Sequence, residues 1–444
     1  MNEQWSSKLG FILASAGAAI GLGALWRFPY LTGMNGGGAF FLLFIFFTLL
    51  IGMPLLISEF IIGRGSKREA VSAYAKLQAT GVWKWIGRFG LVGCFLLLTF
   101  YAVIGGWILT YSILSLTGSI LRPGGNYEEL FGYIVGSPLI SIAGLVVFIA
   151  INVAVLSFGI KNGIERVNKY LMPLLFVFLF IIIIRSLTLD GAMEGVRFFL
   201  DPDFNKITTA GTLEALGQSF FSLAVGFSCM VTYSSYLGNN QSLPKSAGSI
   251  VILNLLVSLM AGLAVFPAVF AFNLEPDSGP ALLFVVLPSV FEQIPLGGMF
   301  LSLFLLLFFF ATLTSSFSLL EIMISAFTQN KRYKRNRVAM ISGLLVTVAG
   351  IPAALSNNLL SDVSLFGRSV FDLTDFVVSN LMLPIGCLFI ALFVGYKMNK
   401  SILFEQYQLA SGGLSRTAGL WYLLMQTIVP TVIVIVFIFG LIPL

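Results

Sequence analysis

The sequence has no histidine, three cysteines and few charges: lysine, arginine, aspartate and glutamate make up 10% of its 444 residues. The missing histidine excludes an imidazole proton relay, a histidine-based catalytic triad and a histidine-ligated metal centre. Cys94, Cys229 and Cys387 stand singly in apolar runs, with neither metal-binding spacing nor the context of a disulfide framework. The scarcity of charge excludes a large soluble domain. No nucleophile–base pair stands out, so an enzyme is not expected. What the chain does have is apolar surface. Hydrophobic residues make up 58% of it and the mean hydropathy is +0.97, the balance of an all-α polytopic membrane protein.

Apolar runs of about 20 residues, enough to cross a bilayer, divide the chain into eleven candidate helices. Their limits are 9–32, 38–63, 88–117, 138–158, 164–187, 211–238, 246–273, 295–328, 338–356, 372–397 and 417–441. The first is too long for a signal peptide and lacks a cleavage pattern, so it reads as part of the mature protein. With a cytoplasmic N-terminus, nineteen of the twenty-five basic residues fall on the inner side. The positive-inside rule therefore predicts a multi-pass protein of the inner (plasma) membrane, N-terminus cytoplasmic and C-terminus extracellular. The net charge of +6 comes from span ends and is not a nucleic-acid signal. The lipid bilayer is the expected partner; nothing points to an obligate protein partner. Between spans, residues 190–206 read as a small outer surface helix. Residues 275–298, an apolar run interrupted by Pro280 and Pro288, read as a hairpin dipping back towards the membrane.

Residues 9–29, LGFILASAGAAIGLGALWRFP, are apolar enough to span, yet Gly17, Gly21 and Gly23 weaken the middle. Each interior glycine costs roughly 0.5–1 kcal/mol against alanine. Two readings fit: a glycine packing face, or a helix broken in mid-membrane whose freed backbone groups bind ions. Residues 211–238 repeat the anomaly, with Gly226 among Ser219, Ser222, Ser228 and Thr232. Two broken helices five spans apart predict two five-helix halves, 9–187 and 211–397, within one transporter domain over residues 1–444. Five is odd, so the second half runs inverted, with residues 417–441 as an additional helix. In helix 8 the Ala311 carbonyl and the Thr314 and Ser315 hydroxyls can face one point. Such hydroxyls usually bond the carbonyl one turn back. As a cage without a carboxylate they would suit a monovalent cation better than Ca²⁺ or Mg²⁺. Gly163 and Pro173 weaken helix 5 and fit either local unwinding or a static kink. Glu59 reads as structural and Glu321 as a candidate proton site. The intramembrane Arg27 needs a partner, with Asp375 and Asp372 the nearest.

Trp5, residues 17–29, the tract NGGGAF at 35–40, Gly163-Ile-Glu-Arg, Gly217-Gln218 with Phe220-Phe221-Ser222, and Leu313-Thr-Ser-Ser316 together resemble the neurotransmitter:sodium symporters. The eleven helices resemble the family's bacterial amino-acid branch. The resemblance implies a sodium-coupled symporter that imports a neutral, apolar amino acid by alternating access. It implies one sodium among the carbonyls of Gly17, Ile20 and Ala311 and the hydroxyls of Thr314 and Ser315. It implies a substrate held between the breaks. The backbone of Ala18, Ala19, Gly21 and Gly23, with Tyr101, would take the carboxylate, and the carbonyls of Phe221, Ser222 and Ala224 the ammonium. Leu97, Phe221, Phe227, Ser315 and Leu319 would line the side-chain pocket. Gly21, where monoamine carriers have an aspartate, leaves room for a substrate carboxylate. Arg27 and Asp375 resemble the extracellular gate pair, with Phe227 beneath as a lid.

Three departures from the family pattern stand out. Ala24 replaces the asparagine of the family's first sodium site, which leaves Ala19, Ser222 and Asn254 as an incomplete set. Gln218, Ser222 and Ser258 match a chloride site, but its tyrosine is here Phe44, so chloride is only a candidate further ion. Asn2 and Gln329 replace the charged pair of the cytoplasmic gate. These departures leave a second reading, a substrate-binding sensor of the same fold without coupled transport. It would bind substrate and not accumulate it.

Overall fold

The computed structural model describes residues 3–77, 81–121, 125–274, 282–329 and 333–441, and among them the regular elements are helices, with no β-strand. Among the described residues, nine helices are long and apolar enough to cross a bilayer: Gly38–Ser66, Gly81–Leu116, Pro138–Ser157, Ile160–Leu187, Leu243–Ala271, Gly297–Thr328, Arg335–Ala354, Val370–Tyr396 and Ala418–Ile438. A further span is a pair, Lys8–Ala19 and Gly23–Met34, bent by 51°. Another consists of Thr209–Ser222 and Cys229–Ser235, each too short to cross alone. In chain order these are eleven spans, and the broken ones are the first and the sixth, as expected. The protein is an all-α polytopic membrane protein. Its two faces are called proximal (the Trp5 end) and distal (the Arg27 end).

The first break begins at Ile20 (φ −87°, ψ 71°), which ends the helix Lys8–Ala19. Leu22 leads into a π-helical turn, Gly23–Arg27, that runs on into the helix Phe28–Met34, with Pro29 just past the junction. The sixth-span break is sharper. Ala224 (φ 52°), Gly226 (φ 100°) and Ser228 (φ 61°) all lie in the left-handed region. A Cβ at Gly226 would stand 2.7 Å from Cys387 Sγ and 3.0 Å from Leu383 O. The freed N–H groups of Gly226 and Met230 donate to the buried carboxylate of Glu59 on the second span, at 2.7 and 3.1 Å. Glu59 is therefore structural, as expected: it replaces the helical partners lost at the break. The neutral amide in Glu59→Gln keeps one acceptor oxygen, so one N–H loses its partner, a cost of about 1–3 kcal/mol. The unfolding midpoint in detergent should fall accordingly; an unchanged midpoint would mean that water serves the break instead.

The NGGGAF tract is a docking surface. Asn35 Nδ2 donates to Glu214 Oε2 at 2.7 Å, tying the first span to the sixth. Gly37 (φ 66°) has no room for a side chain against Phe198 O. The expected surface helix is present at Ala192–Leu200, and its buried Phe199 stacks on Phe41 with ring centroids 5.0 Å apart. The hairpin expected at 275–298 is described only in its second part. Residues 275–281, which include Pro280, lie outside the described residues. From residue 282 to Glu292 the chain is a short helix, and Leu283, Phe284, Leu287 and Phe291 are buried against the bundle. Its apolar residues cap the distal face, because Trp107, Tyr111 and Phe131 offer Phe284 a protein surface to stack on. The fifth span is not unwound: Gly163 lies in a π-helical turn, Ile160–Glu165, and the helix runs on through Pro173 to Leu187.

Candidate substrate and ion site

The first-span break faces the eighth span. Thr314 Oγ1 donates to Gly17 O at 3.1 Å and stands 3.0 Å from Ala311 O. Ser315 Oγ lies 2.9 Å from Gly17 O and 3.0 Å from Ala18 O. Two carbonyls of the first span, one carbonyl of the eighth and two hydroxyls thus converge, all on buried residues. Ile20 is buried one step past the end of the same helix. The set is neutral and made of hard oxygens, which fits a monovalent cation. The contact also explains Gly17: a Cβ there would lie 3.0 Å from Thr314 Cβ and 3.3 Å from Met172 Sδ. The neighbouring Ser316 turns away and donates to Asn152 Oδ1 at 2.6 Å.

Between the two breaks lies a cavity of about 40 Å³. Ala18, Ala19, Gly21, Gly23, Leu97, Tyr101, Phe221, Ala224, Phe227, Ser315 and Leu319 line it, so most of the expected substrate set is brought together. Ser222 does not reach it. Its carbonyl accepts from Asn254 Nδ2 at 2.8 Å behind the cavity wall. Leu22, Cys229, Ser318 and Leu383 also line the cavity and were missed. Ser318 was legible as one helical turn beyond Ser315, whereas Leu383 on the tenth span carries no local signal. The lining holds no charged side chain, so charge recognition here falls to backbone groups at the helix ends. Tyr101 Oη accepts from Leu22 N at 3.4 Å.

The incomplete set around Ala19 is bordered by unpaired polar atoms. Asn254 Oδ1, Gln218 Oε1 and Ser258 Oγ are buried without a hydrogen-bond partner. Gln218 Nε2 donates to Gly23 O at 2.6 Å, so this amide supports the first-span break. Phe44 is fully buried against Phe28, ring centroids 5.1 Å apart, and brings no hydroxyl.

On the distal side a second cavity of about 240 Å³ reaches down to Leu22, Tyr101 and Phe221, which line both cavities. The ring between them is therefore Phe221 rather than Phe227. Phe227 is the inner wall, packed so closely on the third span that a side chain at Gly93 would collide with it. The Arg27 guanidinium lies 4.8 Å from the Phe221 ring centroid. Arg27 and Asp375 line the same cavity without pairing, and Asp375 instead accepts from Ser379 Oγ at 2.7 Å. The Asp372 carboxylate is engaged at the helix start: Ser369 Oγ donates to its Oδ2 at 2.7 Å and accepts from its backbone N–H at 3.1 Å.

On the proximal side Trp5 Nε1 donates to Tyr233 O at 2.8 Å. Arg335 pairs with the buried Glu321 and lies 3.6 Å from Glu3, and Tyr236 Oη donates to Glu321 at 2.9 Å. Gln329 accepts from the backbone of Glu69; Asn2 lies outside the described residues. Glu321 is thus an ion-pair partner of Arg335.

The comparisons agree with this geometry. The profile of the sodium:neurotransmitter symporter family matches residues 2–122 and 138–444. The chain is 49% identical to YhdH of Bacillus subtilis, an uncharacterized sodium-dependent transporter, over 98% of this chain and 96% of the relative. It is 38% identical to an uncharacterized sodium-dependent transporter of Haemophilus influenzae, over 99% and 98%. The crystal structure of MhsT in complex with L-phenylalanine superposes with a TM-score of 0.92 at 39% identity, covering 99% of this chain and 100% of that one. Eleven spans, two breaks facing one another across a cavity, and sequence similarity along nearly the whole chain lead to one conclusion: this protein belongs to the sodium:neurotransmitter symporter family.

Proposed function

We propose that the protein is a sodium-coupled symporter that imports a neutral, apolar amino acid by alternating access. The observation that carries this is Ser315: it bonds the Gly17 and Ala18 carbonyls and also lines the cavity between the breaks. Sodium, as co-substrate, would be held by Gly17, Ile20, Ala311, Thr314 and Ser315. Ion and substrate would then share the first and eighth spans, so each favours the arrangement that the other prefers. The uncharged lining of Leu97, Phe221, Phe227 and Leu319 selects an apolar side chain. The broken-helix backbone, with Tyr101, would hold the carboxylate and ammonium. L-phenylalanine in the MhsT complex fits that class.

The remaining assignments follow the same reading. Residues 9–187 and 211–397 form the inverted halves and 417–441 the additional helix. The proximal face is cytoplasmic and the distal face extracellular, with Phe221 under Arg27 as the outer lid. The unpaired Asn254 Oδ1 is an acceptor, which supports a second cation beside Ala19 and Ser222 more than it supports chloride at Gln218, Ser222 and Ser258.

Uptake of labelled amino acids into proteoliposomes under an inward sodium gradient tests the reading. Thr314→Ala combined with Ser315→Ala should lower sodium-driven uptake at least tenfold. Undiminished uptake in that double variant sinks the sodium assignment. Binding without accumulation in the wild type would favour the sensor.

A further inference from the structure

The fifth span carries an oxygen that the reading above leaves unused. Asn168 is fully buried. Its Nδ2 donates to Ile164 O at 2.9 Å, one turn back, which sets the orientation of the amide. Oδ1 is left without a hydrogen-bond partner. That oxygen rests against Gly17: a methyl group on Gly17 would overlap it. The same methyl would touch Thr314 Cβ at 3.0 Å. Asn168 Oδ1 thus abuts Gly17, whose carbonyl belongs to the oxygen cluster, on the same side from which Thr314 approaches it.

Nothing in the local packing explains an amide there. Leucine would fill a similar volume without stranding an acceptor in a dry interior. Nearby polar groups on the same seam are paired. Glu165, one turn before, accepts from Ser6 N at 2.7 Å and pairs with Lys169 at 2.7 Å. Glu3 accepts from Ile160 N at 2.6 Å. The fifth span therefore grips the first along its proximal half, and Asn168 stands where that seam meets the cluster. An amide oxygen is neutral and hard, the ligand type the cluster already contains.

We propose that Asn168 Oδ1 is a further ligand of the monovalent cation at Gly17, Ala311, Thr314 and Ser315, supplied by the fifth span. The inference rests on the sodium reading of that cluster. It makes ion occupancy a tie among three spans rather than two. A cation leaving towards the proximal face must break the Asn168 contact, so its departure removes one tie between the fifth span and the first.

The test is sodium-dependent thermal stabilisation of the purified full chain in detergent, without substrate, with ionic strength held by choline chloride. A ligand that binds the folded state raises the unfolding midpoint by mass action. Asn168→Leu should raise the sodium concentration for half-maximal stabilisation at least fivefold, with little change in the sodium-free midpoint. Asn168→Asp, which keeps an oxygen, should return it to within twofold of the wild type or below. If Asn168→Leu does not fold, Asn168→Ala against Asn168→Asp carries the same contrast. Equal sodium responses in oxygen-bearing and oxygen-free variants overturn the proposal. The Thr314→Ala variant separates the two readings: if it loses the sodium response while Asn168→Leu keeps it, only the Asn168 ligand falls. A wild type indifferent to sodium overturns both.

Discussion

Gly21→Ala is expected to weaken amino-acid binding by about 5- to 150-fold, the range that 1–3 kcal/mol of overpacking produces. A Cβ on Gly21 would collide with Ser315 Oγ and stand 2.7 Å from both Ser315 Cβ and Tyr101 Oη. All three belong to the floor of the cavity between the breaks. The cavity is already small, about 40 Å³, so no slack absorbs a methyl group. Gly21→Asp should do more: its carboxylate would face the substrate's own, and binding should fall below detection. The measurement is equilibrium binding of a labelled apolar amino acid, with the unfolding midpoint as a control for the fold. Affinity within threefold of the wild type in Gly21→Ala would show that substrate does not approach this part of the break. A loss of fold would show instead that Gly21 is needed for helix packing.

The second large effect belongs to the proximal face. Arg335→Leu leaves Glu321 fully buried without its cation, and breaking a buried pair in this way costs about 3–5 kcal/mol. Arg335 joins the start of the ninth span to Glu321 on the eighth, to Glu3 ahead of the first, and to Leu156 O at the end of the fourth. Its removal should therefore loosen this face as well as lower the unfolding midpoint. The native thiols are all buried, so alkylation of Cys229 by a permeant maleimide reports the opening. Labelling should accelerate in Arg335→Leu and slow again in the double variant Arg335→Leu/Glu321→Leu, where no charge is stranded. An unchanged midpoint and labelling rate in the single variant would remove Arg335 from the closure of this face. Gln329, at the end of the eighth span, is an acceptor for the Glu69 backbone.

Much of the site was legible along the chain because broken helices leave local marks. Glycine at 17, 21, 23 and 226 in otherwise apolar runs contradicts a continuous helix, and hydroxyls at 314 and 315 contradict a lipid-facing one. The lid was misread for a physical reason. Phe221 and Phe227 both sit beside the sixth break, and which ring points distally depends on the left-handed residues at 224, 226 and 228 between them. The gate pair was also anticipated as a contact, yet Asp375 has a nearer partner one turn along its own helix in Ser379.

The sequence alone determined the class of molecule, the number and order of its spans and the positions of both breaks. These follow from hydropathy summed over about 20 residues and from glycine's cost inside a helix, quantities read within one segment. Tertiary structure alone decided which oxygens meet. Asn168 reads in sequence as an ordinary polar residue near the end of the fifth span. Leu383 reads as one more apolar residue, and Arg335 as one more basic residue at a span end. Their roles depend on distances between different spans. Those distances are set by packing of the whole bundle, and no local pattern encodes them.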